Sequence, residues 1–338
     1  MKKFILFFEA LILIMIPISY NFIPLNAGNK VFYLPSSKSS VIIETLQQNN
    51  YNLSWIDKIV ISLNKQPTKG WYDINISKDG RFEFFYKLHE QRTKDTIDIV
   101  IFAGETKEEL ITRLCKDMSL NKIKSLKCYS TLAQFKEGDI LAGKYTLAKK
   151  ADENSTIAYI FAKSKERINK LAQKYPNIFA KKKKIKDIYT IASIIQKETY
   201  HKEEMPIIAS VIYNRLDKNM KLQMDGTLNY GKYSHQIITP ERIRNDKSHY
   251  NTYKYKGLPP HPISTVSIEA LQSAITPAKS NYLYFMLNKN GKHNFVSTYK
   301  AHTKNVKIFK ARKRVKKLNK PLKLNLGRIK INWAKIGI

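Results

Sequence analysis

A run of apolar residues opens this chain and separates three residues from all the rest. Lys2 and Lys3 precede Phe4 to Phe8, and after a single acid at Glu9 the apolar character continues from Ala10 to Ser19, fading by Ile23. The run of about 17–20 residues has the length of a helix that crosses a bilayer. No clean small-x-small site follows, and Leu25-Asn26-Ala27 is a poor one, so the expectation is a retained signal anchor rather than a cleaved leader. Glu9 is costly inside the run but lies near the lysine-bearing end, where it can snorkel or protonate. The lysines place residues 1–3 in the cytoplasm, residues 4–23 in the membrane, and everything after about residue 25 on its outer side.

That placement governs how the charge is read. The 338 residues carry a formal net charge of +33, with 60 Lys and Arg against 27 Asp and Glu. Such a field favours polyanions: nucleic acid, anionic lipid or an anionic cell wall. An outer-side location excludes cytoplasmic nucleic acid. The lysines are spread along the chain, with runs at 181–184 and 307–323, and spread lysines also fit a plain solvated surface. The length allows two or three domains. Cys115 and Cys128 either pair in an oxidising compartment or remain thiols, Cys115 at a helical core position. Two cysteines with no histidine pair at ligand spacing make no metal site, and neither a metal nor a cofactor is expected.

Behind the anchor, residues 28–155 read as a small α/β region, with two modules at about 28–93 and 96–155. In the first, Val31 to Leu34 is a strand, Ser36 to Ser40 supplies a cap, and Val41 to Leu46 is a short amphipathic helix. Gly70 to Ile74 and Arg81 to Tyr86 are aromatic-rich strand or edge candidates. In the second, Ile97 to Ile101 alternates as a strand. Thr106 caps a helix carrying Leu110, Ile111 and Leu114, and Glu137-Gly138-Asp139 leads to Gly143-Lys144-Tyr145. Strand, helix and glycine-tyrosine strand thus describe one weakly repeated unit.

Polar residues 149–156 mark a boundary, and residues 156–310 read as a mixed α+β domain followed by a basic tail, 311–338. Ile157 to Lys174 is a helix. Lys181 to Lys184 forms a charged surface turn before the next one, in which Ile188, Ile191, Ala192 and Ile195 recur at i, i+3, i+4 and i+7. That stripe faces a core, and its continuation reaches Glu198. A carboxyl held on the buried side has a raised pKa, as a general acid near neutral pH requires. A helix that frays after Ile195 would leave Glu198 solvated instead. Pro206 opens another helix with Ile208, Val211 and Ile212 inward, and Asn214 and Arg215 near its end. Gln223, Asp225 and Thr227 follow at spacing two, one face of an extended segment. Further on, Pro259 and Pro260 stiffen a loop, Ser267 caps a helix, Tyr282 to Leu287 is a buried strand, Asn290-Gly291 a hairpin turn and His293 to Ser297 the returning strand. His302 lies in a final helix.

The order of these residues resembles the endolytic murein transglycosylases, the YceG-like family. The matching positions are Lys197-Glu198-Thr199, Asn214-Arg215-Leu216, Leu222-Gln223, Asp225, Thr227, Tyr230-Gly231, Ser248-His249-Tyr250-Asn251-Thr252-Tyr253 and Gly257-Leu258-Pro259-Pro260-His261-Pro262-Ile263. The departures are His249 for a proline, Thr265-Val266-Ser267 for N-P-G, and Gln196 where related members often carry Glu. The resemblance covers most of residues 95–310. It implies a LysM-like, wall-binding region in 28–155, where Ala103-Gly104-Glu105-Thr106 departs from the usual E-G-x-T. It implies a lyase of peptidoglycan glycan strands, with Glu198 as acid and then base, that leaves 1,6-anhydro-muramoyl ends and terminates nascent strands. Asn214, Gln223, Asp225, Thr227, Tyr230, Ser248, Tyr250, Asn251, Thr252 and Tyr253 are then the substrate-binding candidates, the membrane at residues 4–23 is then a bacterial inner membrane, and cell-wall synthases are possible partners.

Rival readings make distinct demands. A hydrolytic muramidase needs a second carboxylate, for which Asp225 is the candidate. A non-catalytic wall-binding scaffold would ignore Glu198→Gln. A membrane-tethered polyanion binder would lose affinity steeply with salt. Neither G-x-S-x-G nor G-x-x-x-x-G-K occurs, so serine-hydrolase and phosphate-loop chemistry lack their motifs.

Overall fold

The computed structural model describes residues 2–23, 25, 28–63, 65–74, 80–90 and 92–318. Asn26 and Ala27 of the weak cleavage site, and the basic tail beyond Leu318, lie outside the described residues. Helix α1 (Lys2–Phe22) contains a 19-residue apolar stretch from Phe4 to Phe22, long and apolar enough to cross a bilayer.

Two units of the same order follow. In the first, β1 (Val31–Leu34), α2 (Ser39–Gln48), α3 (Trp55–Leu63) and β2 (Gly70–Asp73) bring two antiparallel strands together, Val31 opposite Asp73 and Leu34 opposite Gly70. Phe32, Leu34, Ile42, Leu46 and Tyr72 close its core. The Ser36–Ser40 cap is not formed as expected: Lys38 occupies the N-cap position of α2 without a side-chain bond. Residues 81–86 are a helix, not a strand. They begin α4 (Arg81–Glu90), because the buried residues Arg81, Phe84, Phe85 and Leu88 recur at i, i+3, i+4 and i+7; aromatic content suggested a strand, but the period is helical.

The second unit repeats the order as β3 (Thr96–Ile101), α5 (Lys107–Met118), α6 (Lys122–Leu132) and β4 (Gly143–Ala148), again with antiparallel strands, Thr96 opposite Ala148. Thr106 caps α5 in a reciprocal box with Glu109. Val31 and Trp71 of the first unit join the core of the second, and the Trp71 indole donates to the Thr146 carbonyl at 3.0 Å. Cys115 and Cys128 are free thiols, facing Ser125 and Asn154 respectively.

Helix α7 (Glu153–Lys174) is capped by Asp152, so it starts inside the polar stretch, and α8 (Pro176–Phe179) is a single turn. Lys182 to Lys184 are not a turn but the first turn of α9 (Lys182–Glu198). Helix α10 (Met205–Asp217) and, after the short α11 (Asp225–Leu228) and α12 (Pro240–Asn245), α13 (Ile268–Ile275) pack with α9 into the largest core. The α9 stripe is fully legible there: Ile188, Ile191, Ala192, Ile194 and Ile195 are all buried. At about 1.5–3 kcal/mol per side chain, its four isoleucines contribute on the order of 6–12 kcal/mol before conformational entropy is set against them. A hairpin, β5 (Tyr284–Leu287) with β6 (His293–Val296), and α14 (Tyr299–Leu318) complete the described chain. β5 is half-buried rather than buried.

One seam joins the second unit to this core. Thr265 Oγ1 donates to the Phe102 carbonyl at 2.7 Å and accepts from the Glu105 N–H at 3.1 Å; its own N–H reaches the Glu105 carbonyl at 2.7 Å, and its carbonyl accepts from Gly104 at 3.0 Å. Next to it the Ala142 N–H donates to the Val266 carbonyl. The segment that departs from N-P-G is therefore the one that sews the two parts together. Ser267 caps α13 through the Ala270 N–H, and Gln196 accepts from the Ser267 N–H, joining α9 to that cap.

Candidate active site

The apolar stripe of α9 delivers Glu198 to the last turn of the helix. Thr199 then takes an extended conformation and ends it. Its hydroxyl donates to Glu204, which also accepts from the His293 backbone N–H at 2.6 Å and pairs with the His293 ring at 2.8 Å. Burial works to raise the Glu204 carboxyl, but these bonds outweigh it and hold it below the usual range. Glu204 is thus a rivet between the end of α9 and the hairpin, and Glu198 is left free for other work.

Glu198 Oε1 accepts one hydrogen bond, from the Gly226 N–H at 3.0 Å. The approach demands glycine. A Cβ on residue 226 would lie 2.6 Å from Lys197 Cβ and 3.1 Å from Glu198 Oε1. Burial raises the Glu198 carboxyl to about 7; the Gly226 bond pulls it down and the neighbouring Asp225 charge pushes it up. Near neutral pH such a group is present in both its protonated and its ionised form.

Residues 223–227 are not extended, and the three polar side chains do not share a face. Gln223 sits in the left-handed region with φ +52°, and Asp225 starts the helical turn α11. Thr227 is wholly buried, its hydroxyl bonded to the Met224 carbonyl and to Thr252 Oγ1. Thr252 in turn accepts from the Gln223 and Met224 N–H groups. Asn251, also buried, donates to the Ile243 and Asp246 carbonyls and accepts from the Tyr253 N–H. Thr227, Asn251 and Thr252 therefore build the platform and do not reach the surface beside Glu198. Asn214 behaves likewise: its amide is spent on the carbonyls of Ser280 and Tyr282. Tyr230 packs against Tyr250 with the rings tilted by 38° and 4.7 Å between their centres, and its hydroxyl donates to Glu137 at 3.4 Å. Ser248 is exposed in a turn, its N–H bonded to Asp246.

Gln223, Asp225 and Tyr253 do converge on Glu198, together with Arg215. Tyr253 donates to Asp225 Oδ1 at 2.5 Å. Arg215 donates to the carbonyls of Leu283 and Leu222, both at 2.6 Å, and lies over the Tyr284 ring. Glu198 and Asp225 stand where two depressions meet. One, of about 410 Å³, is walled by Arg215, Gln223, Tyr253 and the aromatic face of the hairpin and α14: Tyr284, Phe285, Tyr299 and His302. The other, of about 530 Å³, is walled by Gln196, Lys197, Gly226, Asn229, His235 and the turn Phe102-Ala103-Gly104-Glu105.

Sequence reasoning missed most of these walls. His302 of α14 stacks on Tyr284 at 5.1 Å inside the first depression. Phe102, 54% exposed, stands beside the Ala103-Gly104 turn at the second depression. Glu137, which leads toward the Gly143 strand, is fully buried, accepts from the Lys107 N–H at 2.8 Å, and burial raises its carboxyl to about 8. Among the described residues no group of His, Cys, Asp and Glu is arranged to hold a metal ion.

Comparison with known proteins identifies the family. The sequence model of the YceG-like family matches residues 34–308. A protein of Bacillus subtilis named endolytic murein transglycosylase is 34% identical over 154 residues, 45% of this chain and 43% of that protein. One of the same name from Streptococcus pneumoniae is 28% identical over 220 residues, 63% of this chain and 39% of that protein. The chain thus matches less than half the length of these curated relatives. A crystal structure of a YceG-like protein from Listeria monocytogenes superposes with a TM-score of 0.53 at 26% identity, covering 81% of this chain and 97% of the other. With the family pattern running through both repeated units, the platform and the hairpin, the chain belongs to the YceG-like family.

Proposed function

We propose that this protein is an endolytic lytic transglycosylase of peptidoglycan, cutting the β-1,4 bond between N-acetylmuramic acid and N-acetylglucosamine. The observation that carries the reading is Glu198: a carboxyl raised to about 7 by burial, at the meeting point of two open depressions. A linear glycan lying through both would present an internal bond to it, as an endolytic cut requires. The names of the matched relatives point to the same chemistry.

Protonated Glu198 donates to the glycosidic oxygen as the bond to C1 breaks, leaving an oxocarbenium-like centre. The resulting carboxylate takes the proton of the muramoyl 6-hydroxyl, whose oxygen closes on C1. The proton returns to Glu198, no water is consumed, and the product ends are 1,6-anhydro sugars. The Gly226 N–H steadies the ionised form between the two steps. A hydrolytic muramidase would use Asp225 as the second carboxylate; the short bond from Tyr253 already engages that group. The same proposal makes α1 a single-pass anchor with the bulk of the chain on the outer side of an inner membrane. It makes the repeated units wall-binding in the LysM-like manner, and termination of nascent strands the role, with cell-wall synthases as partners.

The test incubates the full-length protein in detergent, and its Glu198→Gln version, with purified peptidoglycan and with uncrosslinked strands. Mass spectrometry then weighs the released ends. Anhydro ends, one water lighter than reducing ends and absent with the variant, are the expected result. Reducing ends would replace the lyase with a hydrolase, and no cleavage of either substrate would leave a wall-binding protein.

A further inference from the structure

The end of α1 is locked into the first repeated unit. Tyr20 donates its hydroxyl to Asp57 on α3, and Asp57, fully buried, pairs with Arg81 on α4. Arg81 Nε donates to the Ile23 carbonyl at 3.0 Å, the Phe82 N–H donates to the Asn21 side chain at 3.1 Å, and the Tyr20 and Phe82 rings meet edge-on at 5.3 Å. Helices α3 and α4 therefore start beside the point where the apolar helix ends.

Both helices turn an apolar face outward there. On α3, Trp55, Ile59 and Leu63 recur at i, i+4 and i+8 and are 71%, 46% and 81% exposed, while Asp57 and Ile61 face inward. On α4, Phe82 and Tyr86 recur at i and i+4 and are exposed, while Phe84, Phe85 and Leu88 fill the core. Lys58 and Lys65 are exposed on or next to α3. Trp, Tyr and Phe backed by lysines on a helix face form the composition that settles at the boundary between headgroups and acyl chains.

We infer that this α3/α4 face docks in the interfacial layer of the bilayer that α1 crosses, so that the first repeated unit lies on the membrane. The inference rests on the proposed anchor. Its occupant follows from continuity: a face that begins at the end of a membrane-spanning helix, and is held to it by Tyr20, Asp57 and Arg81, meets that membrane first. The docked side chains would bury apolar surface in lipid that water otherwise solvates.

Of the three tryptophans, Trp71 is buried and Trp333 can be replaced by Phe, which isolates Trp55. The full-length Trp333→Phe protein is reconstituted into zwitterionic vesicles whose acyl chains carry bromine, and its emission is compared with that of a further Trp55→Phe version. The expected result is strong quenching that loses at least half its amplitude with Trp55→Phe, in protein that floats with the vesicles in both cases. Flotation with equal quenching in the two proteins would overturn the docking while leaving the anchor intact; it is also the outcome if a second copy or another part of the chain covers the face. Quenching that needs anionic lipid would reduce the contact to lysine adsorption and overturn it too. Failure to float would overturn the anchor itself, and the docking with it. As a second variant, Leu63→Asp is expected to halve Trp55 quenching without altering flotation.

Discussion

Gly226→Ala is the sharpest probe of how Glu198 is tuned. The backbone at 226 is not in the left-handed region, so alanine is opposed by space alone. Its methyl would stand 2.6 Å from Lys197 Cβ, roughly an ångström inside ordinary carbon contact. Lys197 Cβ belongs to a packed helix turn, so the 225–228 turn must retreat by about that much. The Gly226 N–H, now 3.0 Å from Glu198 Oε1, then passes out of bonding range. That bond favours the ionised carboxylate, so its loss raises the Glu198 pKa further. A hydrogen bond to a charged group is worth about 1.5–3 kcal/mol, which corresponds to about 1–2 pKa units. Under the proposed mechanism the free enzyme must hold the proton that Glu198 donates, so the alkaline limb of kcat/KM, which Glu198 would set near pH 7, should move upward by that amount. The displaced turn should also lower the plateau by about 100-fold. The assay follows anhydro-end release from uncrosslinked strands between pH 5 and 10, with Glu198→Gln as the blank. A Gly226→Ala protein that folds, loses activity and keeps its alkaline limb would refute the claim that this N–H tunes the acid. Unchanged activity would refute the steric argument.

Other outcomes follow from the same structure. Glu137 has a folded pKa of about 8, well above its ordinary value, so its contribution to stability is full below about pH 4.5 and fades as pH rises through 8; melting temperature should decline across that window, and Glu137→Gln should flatten the decline. Arg81→Met leaves Asp57 buried without its cation and should cost about 3–5 kcal/mol, seen as faster hydrogen exchange confined to residues 28–90. Phe102→Ala removes the exposed ring beside the second depression and, for a contact that holds the strand equally in ground and transition states, should raise KM for long strands several-fold while kcat stays within about twofold; an unchanged KM would remove that turn from the binding surface.

Much of this molecule was legible where local period and packing agree. Ile188, Ile191, Ala192 and Ile195 mark the inner face of α9, and the helix persists to Glu198 because Thr199 and Glu204 pin its end instead of letting it fray. Local reasoning failed where tertiary contacts decide. Alternation at 223, 225 and 227 suggested a strand, but Gln223 turns left-handed and Thr252 gathers the segment into a tight turn. The aromatics at 82–86 carried strand weight, although Arg81, Phe84, Phe85 and Leu88 recur with a helical period. The second wall of the site could not be read locally, because Phe102 and Glu105 arrive there through bonds to Thr265, far along the chain.

Helix α7 belongs to two interiors at once. Ile157 and Ile160 complete the core of the second repeated unit, whereas Leu171 and Ile168 pack with α9 in the next. A cut at the polar stretch before it would strip one core of its lid and leave the other with a dangling apolar end. Neither piece would be a clean graft for another protein. The second repeated unit and the core that carries Glu198 therefore form one structural block, and variation between relatives should accumulate as substitutions along the shared rod rather than as exchange of modules at that joint.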